Sequence, residues 1–281
     1  MSNIVVLTGA GISAESGIPV FRSETGLWEQ ERVEDVATYD GFLRDKTKVH
    51  EFYNKMRRSL KDKAPNPAHL ALTKLQQEYP KKTGGSVTLI TQNIDNLHEK
   101  AGSKNVIHMH GELMSILCEH CHERYKFDGD SSVNSECLHC YHQSLRPDIV
   151  WFGEMPYHME EIQDALSSCD LFLSIGTSGV VYPAAGFCQI AKQFGALCIH
   201  FVKEKVFISF EGTNGTVIGW KEDFTLGYHF PVISQKYAIN YLNEVITNKD
   251  KEIYVGGHSK GGNLAMTAAM YTKEDIFARI K

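Results

Sequence analysis

The sequence has no long apolar run, few prolines and no excess of basic residues. Its apolar runs span only a few residues, whereas a helix that crosses a bilayer needs about 20, so we expect no membrane partner. Eight prolines and 42% apolar residues in a chain of 281 exclude a disordered or collagen-like protein. The 34 acidic and 29 basic residues give a net charge of -5, which disfavours a nucleic-acid partner.

The N-terminus also lacks the basic segment and cleavage site of a secretory signal, and the seven cysteines are an odd number. An odd count fits metal ligation in a reducing compartment better than a disulfide framework, so we expect a cytoplasmic protein. Three of the cysteines, Cys169, Cys188 and Cys198, lie in apolar segments and are predicted to be small buried hydrophobes.

Short apolar segments alternate with helical patterns along the first 200 residues. One helical pattern covers 47–60, and another follows Asn66 and Pro67, a good N-cap and a good first helical residue. The apolar segments lie at 3–8, 87–91, 170–175 and 196–201. This alternation predicts an α/β fold with a doubly wound, mostly parallel sheet.

A polar insert at about 112–146 interrupts the alternation and carries four cysteines. Cys118 and Cys121 form one CxxC pair, and Cys137 and Cys140 form a second after fifteen intervening residues. This spacing is typical of a zinc ribbon, and because protein thiolates fill all four positions we predict one structural Zn²⁺. Redox thiols are an alternative, and so are ligands drawn from the neighbouring histidines at 120, 122, 139 and 142.

A glycine-rich loop follows the first apolar segment. The residues from Gly9 to Ala14 match the pattern G-x-G-x-x-G/A, in which glycines allow a tight turn and close approach of a pyrophosphate. A dehydrogenase has a second strand that ends in an acidic residue about 20 residues later. Residues 15–22 do not form such a strand, which disfavours hydride transfer.

Six motifs occur together in an order and spacing that resemble the sirtuins, the NAD-dependent protein deacylases, over residues 1 to about 201. They are GAGISAESGIPVFR from residue 9, TQNID from residue 91, His110-Gly111, the two CxxC pairs, Phe152-Gly153-Glu154 and Gly176-Thr177-Ser178. The resemblance implies a Rossmann-like domain with a small zinc-binding domain. It also implies transfer of an acyl group from protein lysine to ADP-ribose with release of nicotinamide.

The resemblance further implies which residues bind NAD and the acyl-lysine peptide. The residues expected at NAD are Gly9, Ala10, Gly11, Ser13, Phe21, Arg22, Gln92, Asn93, Asp95, Gly176, Thr177 and Ser178. The peptide would lie as an added strand between Phe152-Gly153-Glu154 and a loop that contains Val181. Such strand addition takes its affinity from main-chain hydrogen bonds and reads sequence loosely.

The chemistry requires a base of near-neutral pKa to activate a ribose hydroxyl, and histidine is suited to that task. The resemblance gives this role to His110. His108 would lie on the same face as His110 if the strand continued, so it is the alternative candidate for the base. The alternative for either residue is a core histidine without a catalytic role.

The acyl group is the least determined part of the substrate. In sirtuins that prefer succinyl or malonyl lysine, a Tyr-x-x-Arg pair reads the acyl carboxylate. Here Tyr53 is followed by Met56 at the arginine position, and Arg57 lies about 100° further round the helix. We therefore expect acetyl or another neutral acyl group, with a purely structural role for Tyr53 and Met56 as the alternative.

A different pattern begins near residue 203. The family's Asn-containing turn after 196–201 is absent, which removes contacts to the adenosine ribose. A strand, the sequence Gly257-His258-Ser259-Lys260-Gly261 and an alanine-rich helix resemble the nucleophile elbow of a lipase-like α/β-hydrolase. No histidine follows Ser259 to complete the order Ser, acid, His, so Ser259 is predicted to be a vestigial nucleophile.

We therefore expect a sirtuin-type catalytic domain at 1–202 joined to a partial hydrolase-like segment at 203–281. Three alternatives to a deacylase remain at this point. They are a mono-ADP-ribosyltransferase that uses the same pocket, a non-catalytic zinc-containing peptide-binding module, and a serine esterase of the C-terminal segment.

Overall fold

The structure is a computed structural model that describes residues 2–19, 31–202, 205–210, 230–246, 252–257 and 259–280. The chain divides into two compact units. One consists of Leu7–Gln163, and the other of Met1–Val6 together with Asp164–Lys281.

The unit Leu7–Gln163 contains parallel strands and a small antiparallel sheet. The end of β1 lies next to β2, and β2 pairs in parallel with β3, with Ile90 opposite Ile107. The antiparallel sheet has the order β5-β4-β6. The strands are β1 (Ile4–Thr8), β2 (Val87–Thr91), β3 (Ile107–His108), β4 (Gly111–Cys118), β5 (Arg124–Lys126) and β6 (Leu145–Ile149).

Six α-helices of this unit are described, and the two longest begin at side-chain caps. The Asp45 carboxylate accepts from Lys48 N at the start of α4, and the Asn66 side chain caps α5 just before Pro67. The helices are α1 (Ala10–Ser13), α2 (Val33–Val36), α3 (Tyr39–Arg44), α4 (Lys46–Leu60), α5 (Pro67–Thr83) and α6 (Leu97–Lys100). Among all the described residues, no helix has both the length and the apolar character that a membrane crossing requires.

Helix α4 supplies much of the apolar core of this unit. Its buried residues Val49, Phe52 and Tyr53 recur at helical spacing and pack with Leu113 of β4 and with Trp151. This packing joins the helix to the small antiparallel sheet.

The second unit contains a mixed sheet of four strands in the order β10-β9-β8-β7, followed by the first residues of β1. Strands β7 and β8 are parallel, β8 and β9 are antiparallel, and β9 and β10 are parallel. The strands are β7 (Leu171–Ile175), β8 (Leu197–Val202), β9 (Lys205–Phe210) and β10 (Glu252–Gly257). The predicted α/β fold with a mostly parallel sheet is confirmed, with an antiparallel pairing at β8 and β9.

The helices of this unit cover the C-terminal strands. Leu242 and Leu264 pack with Ile208 of β9 and Ile253 of β10 in one apolar core. The helices are α7 (Met159–Ser168), which ends in this unit, α8 (Phe187–Gln193), α9 (Ile233–Val245), α10 (Lys260–Tyr271) and α11 (Glu274–Phe277). The described C-terminal residues therefore have a core of their own.

Candidate active site and zinc centre

The glycine-rich loop lies at the carboxyl end of β1 and is tied to the segment that follows β2. The Asn93 amide donates to the Gly9 carbonyl oxygen at 3.1 Å and to Ser13 Oγ at 3.2 Å. Ser13 Oγ in turn donates to Asp95 Oδ2 at 2.9 Å, and Leu97 N donates to Asp95 Oδ1 at 3.0 Å. Four residues predicted at NAD are thus joined in one buried hydrogen-bond network, while Ala10 and Gly11 form the start of α1.

His110 lies beside this network, between β3 and β4. Its Nδ1 is 3.1 Å from the carbonyl oxygen of Gln92, so the neutral ring carries its proton on Nδ1. Burial lowers the pKa of His110, and the hydrogen bond to Gln92 opposes this only in part. Among the described residues none makes a hydrogen bond with Nε2, which leaves that nitrogen as a proton acceptor.

His108 differs from His110 because both of its ring nitrogens have partners. Nδ1 lies 3.2 Å from the Asn93 carbonyl oxygen, and Nε2 lies 3.0 Å from Glu99 Oε1. Although burial acts in the opposite direction, the Glu99 carboxylate raises the pKa of His108. His108 therefore fixes the segment before His110 and has no free nitrogen for catalysis.

Gly111 determines how closely β4 can approach β6 directly after His110. Its φ is +82°, in the left-handed region, and a Cβ there would clash with the carbonyl group of Asp148. Glycine is thus required for both the backbone angle and the close approach. The position of the His110 ring depends on this turn.

The segment predicted to hold the substrate peptide borders an open cleft of about 620 Å³. Phe152 and Gly153 are exposed in this cleft, and Phe152 N donates to the Ala37 carbonyl oxygen at 3.0 Å. Glu154 instead turns to Arg146, which donates to both of its carboxylate oxygens at 2.7 and 2.9 Å. The Glu154 side chain therefore forms an internal ion pair with Arg146.

Arg146 is a positioning residue that the sequence did not reveal. It is buried, and its guanidinium carbon lies 3.6 Å from the ring centroid of Trp151. It thereby fixes Glu154, which lines the cleft, and packs against the buried Trp151. The one available indication was a pair of charged residues, Arg146 and Asp148, between the apolar residues Leu145 and Ile149.

Tyr53, Met56 and Arg57 all lie on α4, but in different surroundings. Tyr53 is fully buried, and its hydroxyl accepts from Trp151 Nε1 at 2.9 Å. Met56 is half-buried against the same apolar core. Arg57 is 1% exposed and donates to the main-chain oxygens of Leu113 and Gly129, each at 2.9 Å. The burial of Tyr53 favours the alternative that this residue has a purely structural role. The Arg57 guanidinium is already bound to main-chain oxygens.

Four predicted residues, Gly176, Thr177, Ser178 and Val181, lie in the other unit, after β7. Gly176 N donates to the Phe201 carbonyl oxygen at 2.9 Å, and the Val181 carbonyl oxygen accepts from Ala185 N at 2.8 Å. These bonds hold the segment that follows β7. The predicted residues Phe21 and Arg22 lie outside the described residues.

The four cysteines of the insert meet in one cluster. All four Sγ atoms lie within 4.8 Å of one another, with Cys118 and Cys140 at 3.6 Å and Cys121 and Cys137 at 3.7 Å. A Zn–S length of about 2.3 Å implies tetrahedral S···S edges of about 3.8 Å, so the cluster fits zinc. No neighbouring histidine joins the candidate metal ligands among the described residues.

The two CxxC turns of the zinc centre have matching backbone geometry. Cys118 N donates to the Glu123 carbonyl oxygen, and Cys137 N donates to the His142 carbonyl oxygen, both at 3.0 Å. The metal would complete a core that otherwise consists of a few residues around Ile116 and Leu145. This arrangement indicates a structural metal with no open position for water.

The second unit contains a strand, a turn and a helix around Ser259. Ser259 has φ +57° and ψ −125°, and it lies between β10 and α10. A Cβ at Gly257 would clash with the backbone of Gly261, so this close packing requires glycine. The backbone has the form of a nucleophile elbow. His258 lies outside the described residues, and Asp275 on α11 pairs with Arg279 at 3.8 Å.

Together these features define an α/β protein with a glycine-rich loop after β1, a buried histidine whose Nε2 has no partner among the described residues, and a cluster of four cysteines that fits zinc. The family model described as Sir2 family matches residues 9–183, and the chain belongs to the Sir2 family. A second model, described as Mbeg1-like, matches residues 187–281. The resemblance of the sequence to sirtuins and its C-terminal likeness to a lipase-like protein are both confirmed.

Known relatives and solved structures agree with this membership. The chain is 56% identical over 212 residues to an NAD-dependent protein deacylase of Bdellovibrio bacteriovorus, covering 74% of this chain and 88% of the relative. It is 57% identical over 196 residues to one of Pasteurella multocida, covering 69% and 82%. A crystal structure of a Sir2 homologue with NAD has a TM-score of 0.63 at 36% identity, covering 77% of this chain and 80% of that chain.

Proposed function

We propose that the chain is an NAD-dependent protein deacylase that removes acyl groups, acetyl first among them, from protein lysines. The observation that carries this proposal is His110, with a lowered pKa and an unoccupied Nε2, beside the network of Gly9, Ser13, Asn93 and Asp95. When bound, NAD supplies the ADP-ribose that accepts the acyl group and the nicotinamide that leaves. Acyl-lysine proteins are the partners that this activity requires.

His110 acts as the general base in this proposal. Its ring is neutral at pH 7 because burial lowers its pKa, and the Gln92 carbonyl oxygen holds the proton on Nδ1. Nε2 can then accept the proton of a ribose hydroxyl as that oxygen attacks the acyl carbon. The Gln92 contact fixes the tautomer and the ring orientation.

The remaining NAD contacts are proposals that follow family membership. The carbonyl of Gly9 and the side chains of Ser13, Asn93 and Asp95 are held in one arrangement by their mutual hydrogen bonds, which reduces the ordering cost of binding. The other proposed contacts are Ala10, Gly11, Phe21, Arg22, Gln92, Gly176, Thr177 and Ser178.

The substrate peptide is proposed to lie along Phe152 and Gly153 as an added strand, with Val181 on its other side. The exposure of Phe152 and Gly153 at the cleft supports this position. Because Arg146 holds the Glu154 side chain, Glu154 offers its main chain to the peptide.

A neutral acyl group is proposed because α4 offers no cation at the position that reads an acyl carboxylate. Met56 is uncharged, and the Arg57 guanidinium is held by the carbonyl oxygens of Leu113 and Gly129. Turnover of acetyl-lysine and succinyl-lysine forms of one peptide tests this. Faster acetyl turnover supports the proposal, and a strong preference for succinyl contradicts it.

One incubation separates the candidate functions of the Sir2 part. The chain is mixed with NAD and an acetyl-lysine peptide, and mass spectrometry follows nicotinamide, acetyl-ADP-ribose and the free peptide. Equal formation of all three supports the deacylase. Nicotinamide release with ADP-ribose attached to protein supports mono-ADP-ribosyl transfer, and bound peptide without turnover supports a binding module.

A serine esterase in the C-terminal segment is a second candidate, favoured by the elbow geometry at Ser259. Its test is cleavage of a p-nitrophenyl ester. Loss of that cleavage in Ser259→Ala, with NAD-dependent turnover unchanged, supports the esterase, whereas equal cleavage by both proteins contradicts it.

The domain limits and the location remain proposals as well. We propose a catalytic domain at 1–202 with the zinc insert at about 112–146, followed by the hydrolase-like segment at 203–281; NAD-dependent turnover by residues 1–202 alone tests this boundary. A cytoplasmic location is proposed because none of the seven cysteines is in a disulfide and four of them form the candidate zinc centre, which is typical of a reducing compartment. Cell fractionation tests the location.

A further inference from the structure

A thiol and an imidazole meet between α8 and β8. Cys188 Sγ on α8 lies 3.1 Å from His200 Nε2 on β8. Cys188 had been predicted to be a buried hydrophobe, but it is half-buried and in direct contact with a titratable ring. The contact gives the Cys188 sulfur an imidazole nitrogen as a hydrogen-bond partner.

The groups around Cys188 favour its thiolate form. The Cys198 thiol hydrogen-bonds to the Cys188 sulfur, and together with His200 and Lys192 it lowers the pKa of Cys188 to about 4, although burial opposes this. Lys192 is four residues after Cys188 on α8, so the two side chains lie on the same helix face. Thiolates are the nucleophilic form of cysteine.

Cys198 has the opposite character and lies next to Cys188. It is fully buried, and its Sγ lies 3.5 Å from the Cys188 carbonyl oxygen. The interaction with the Cys188 sulfur and burial raise the pKa of Cys198 well above its usual range. The half-buried Cys188 is therefore the nucleophile of the pair, and the buried Cys198 is a protonated thiol.

We propose that Cys188 is a hydroperoxide-reactive thiolate and that it forms a disulfide with Cys198. The Cys188 sulfur attacks one peroxide oxygen, an S–O bond forms, the O–O bond breaks, and hydroxide leaves and takes up a proton to give water. The Cys198 sulfur then attacks the sulfenic sulfur, an S–S bond forms, and the S–O bond breaks. The departing hydroxide takes the Cys198 proton as a second water, so two thiols reduce one peroxide.

The first test uses the full-length, zinc-loaded wild-type chain and needs no variant. Iodoacetamide at pH 6 labels thiolates, and peptide mapping compares Cys188 with Cys169, a buried thiol whose pKa is raised by burial. We expect Cys188 to be labelled at least about tenfold faster, as a thiolate at that pH. Equal rates at Cys188 and Cys169 would contradict the proposal.

The second test follows hydrogen peroxide treatment by peptide mapping without reduction. Trypsin cleaves after Lys192 and Asp-N cleaves before Asp170, so the two enzymes together place Cys169, Cys188 and Cys198 on three separate peptides. We expect this cross-link in wild type and in the control Cys169→Ser, its reversal by dithiothreitol, and its loss in Cys188→Ser and in Cys198→Ser. His200→Gln should slow its formation about tenfold at pH 6, with recovery at pH 9. A cross-link to another cysteine, or an unchanged rate in His200→Gln, would overturn the inference.

Discussion

Replacement of Arg57 by methionine tests whether this buried arginine ties α4 to the small antiparallel sheet. The guanidinium donates to the carbonyl oxygens of Leu113 and Gly129 at 2.9 Å and to Asn54 Oδ1 at 2.8 Å, and it lies 5.2 Å from the Phe127 ring centroid. In Arg57→Met, Asn54 Oδ1 still accepts from Ser131 N, whereas the carbonyl oxygens of Leu113 and Gly129 lose their arginine donor.

The expected cost follows mainly from the Leu113 carbonyl, because Gly129 is exposed and water can replace Arg57 at its carbonyl oxygen. An unsatisfied buried carbonyl costs about 1–3 kcal/mol, and methionine retains most of the apolar stem, so Arg57→Met should lower the unfolding free energy by about 2 kcal/mol. For a unit of this size such a loss lowers Tm by about 4–8 °C. The neighbouring Arg58 offers a matched control because it and its partner Asp130 are both more than half exposed. Arg58→Met should cost less than about 1 kcal/mol.

Thermal and urea unfolding of the zinc-loaded chain measure both variants, with the fluorescence of Trp151 as a local probe. The two variants remove the same charge from adjacent positions, so their difference isolates burial and hydrogen bonding. If Arg57→Met costs no more than Arg58→Met, the reasoning on the buried guanidinium is refuted. The ratio of acetyl to succinyl turnover should stay the same in Arg57→Met.

Three further predictions concern the acyl site, the zinc centre and the pH dependence of stability. Met56→Arg should raise succinyl-peptide turnover relative to acetyl-peptide turnover by at least about tenfold, as a charge-assisted pair worth about 1.5–3 kcal/mol implies; an unchanged ratio contradicts this. Cys137→Ala should abolish the one bound zinc per chain, measured by elemental mass spectrometry, whereas His139→Ala should retain it. Burial lowers the pKa of His50 to about 4, below its unfolded value of 6.5. Its neutral form therefore favours folding above pH 6.5, and this stability is lost as the pH falls toward 4; His50→Gln should weaken that dependence in urea unfolding.

The parts of the structure that depend on local sequence could be predicted. The zinc ligands are set by two short CxxC turns, and the start of α5 is set by Asn66 and Pro67. The glycine-rich loop likewise follows directly from the end of β1. In each case the deciding residues are close together in the sequence, so spacing and residue type were sufficient.

Features that depend on distant partners could not be predicted. The resemblance assigned the base to His110, but the contact of Glu99 with Nε2 of His108 could not be predicted. Arg57 and Arg146 are charged residues in a core, where residue type alone predicts exposure. The antiparallel pairing of β8 with β9 and the contact of Cys188 with His200 likewise arise only when the strands assemble.

The pH profile of turnover bears on the protonation state of His110. Because burial lowers the pKa of His110, its ring stays neutral at pH values below the ordinary histidine pKa. The acidic limb of kcat/KM should therefore lie below pH 6.5, and a limb above that value would contradict the assignment. His108→Gln should reduce turnover without moving the limb, because His108 positions the segment before His110.

The most direct test of the central claim is product analysis of wild type and His110→Ala with NAD and an acetyl-lysine peptide. The account predicts one nicotinamide and one acetyl-ADP-ribose for each lysine deacetylated by wild type. It predicts no acetyl-ADP-ribose from His110→Ala, at an unchanged content of one zinc per chain. Turnover retained by His110→Ala, or wild-type deacetylation without acetyl-ADP-ribose, would contradict it.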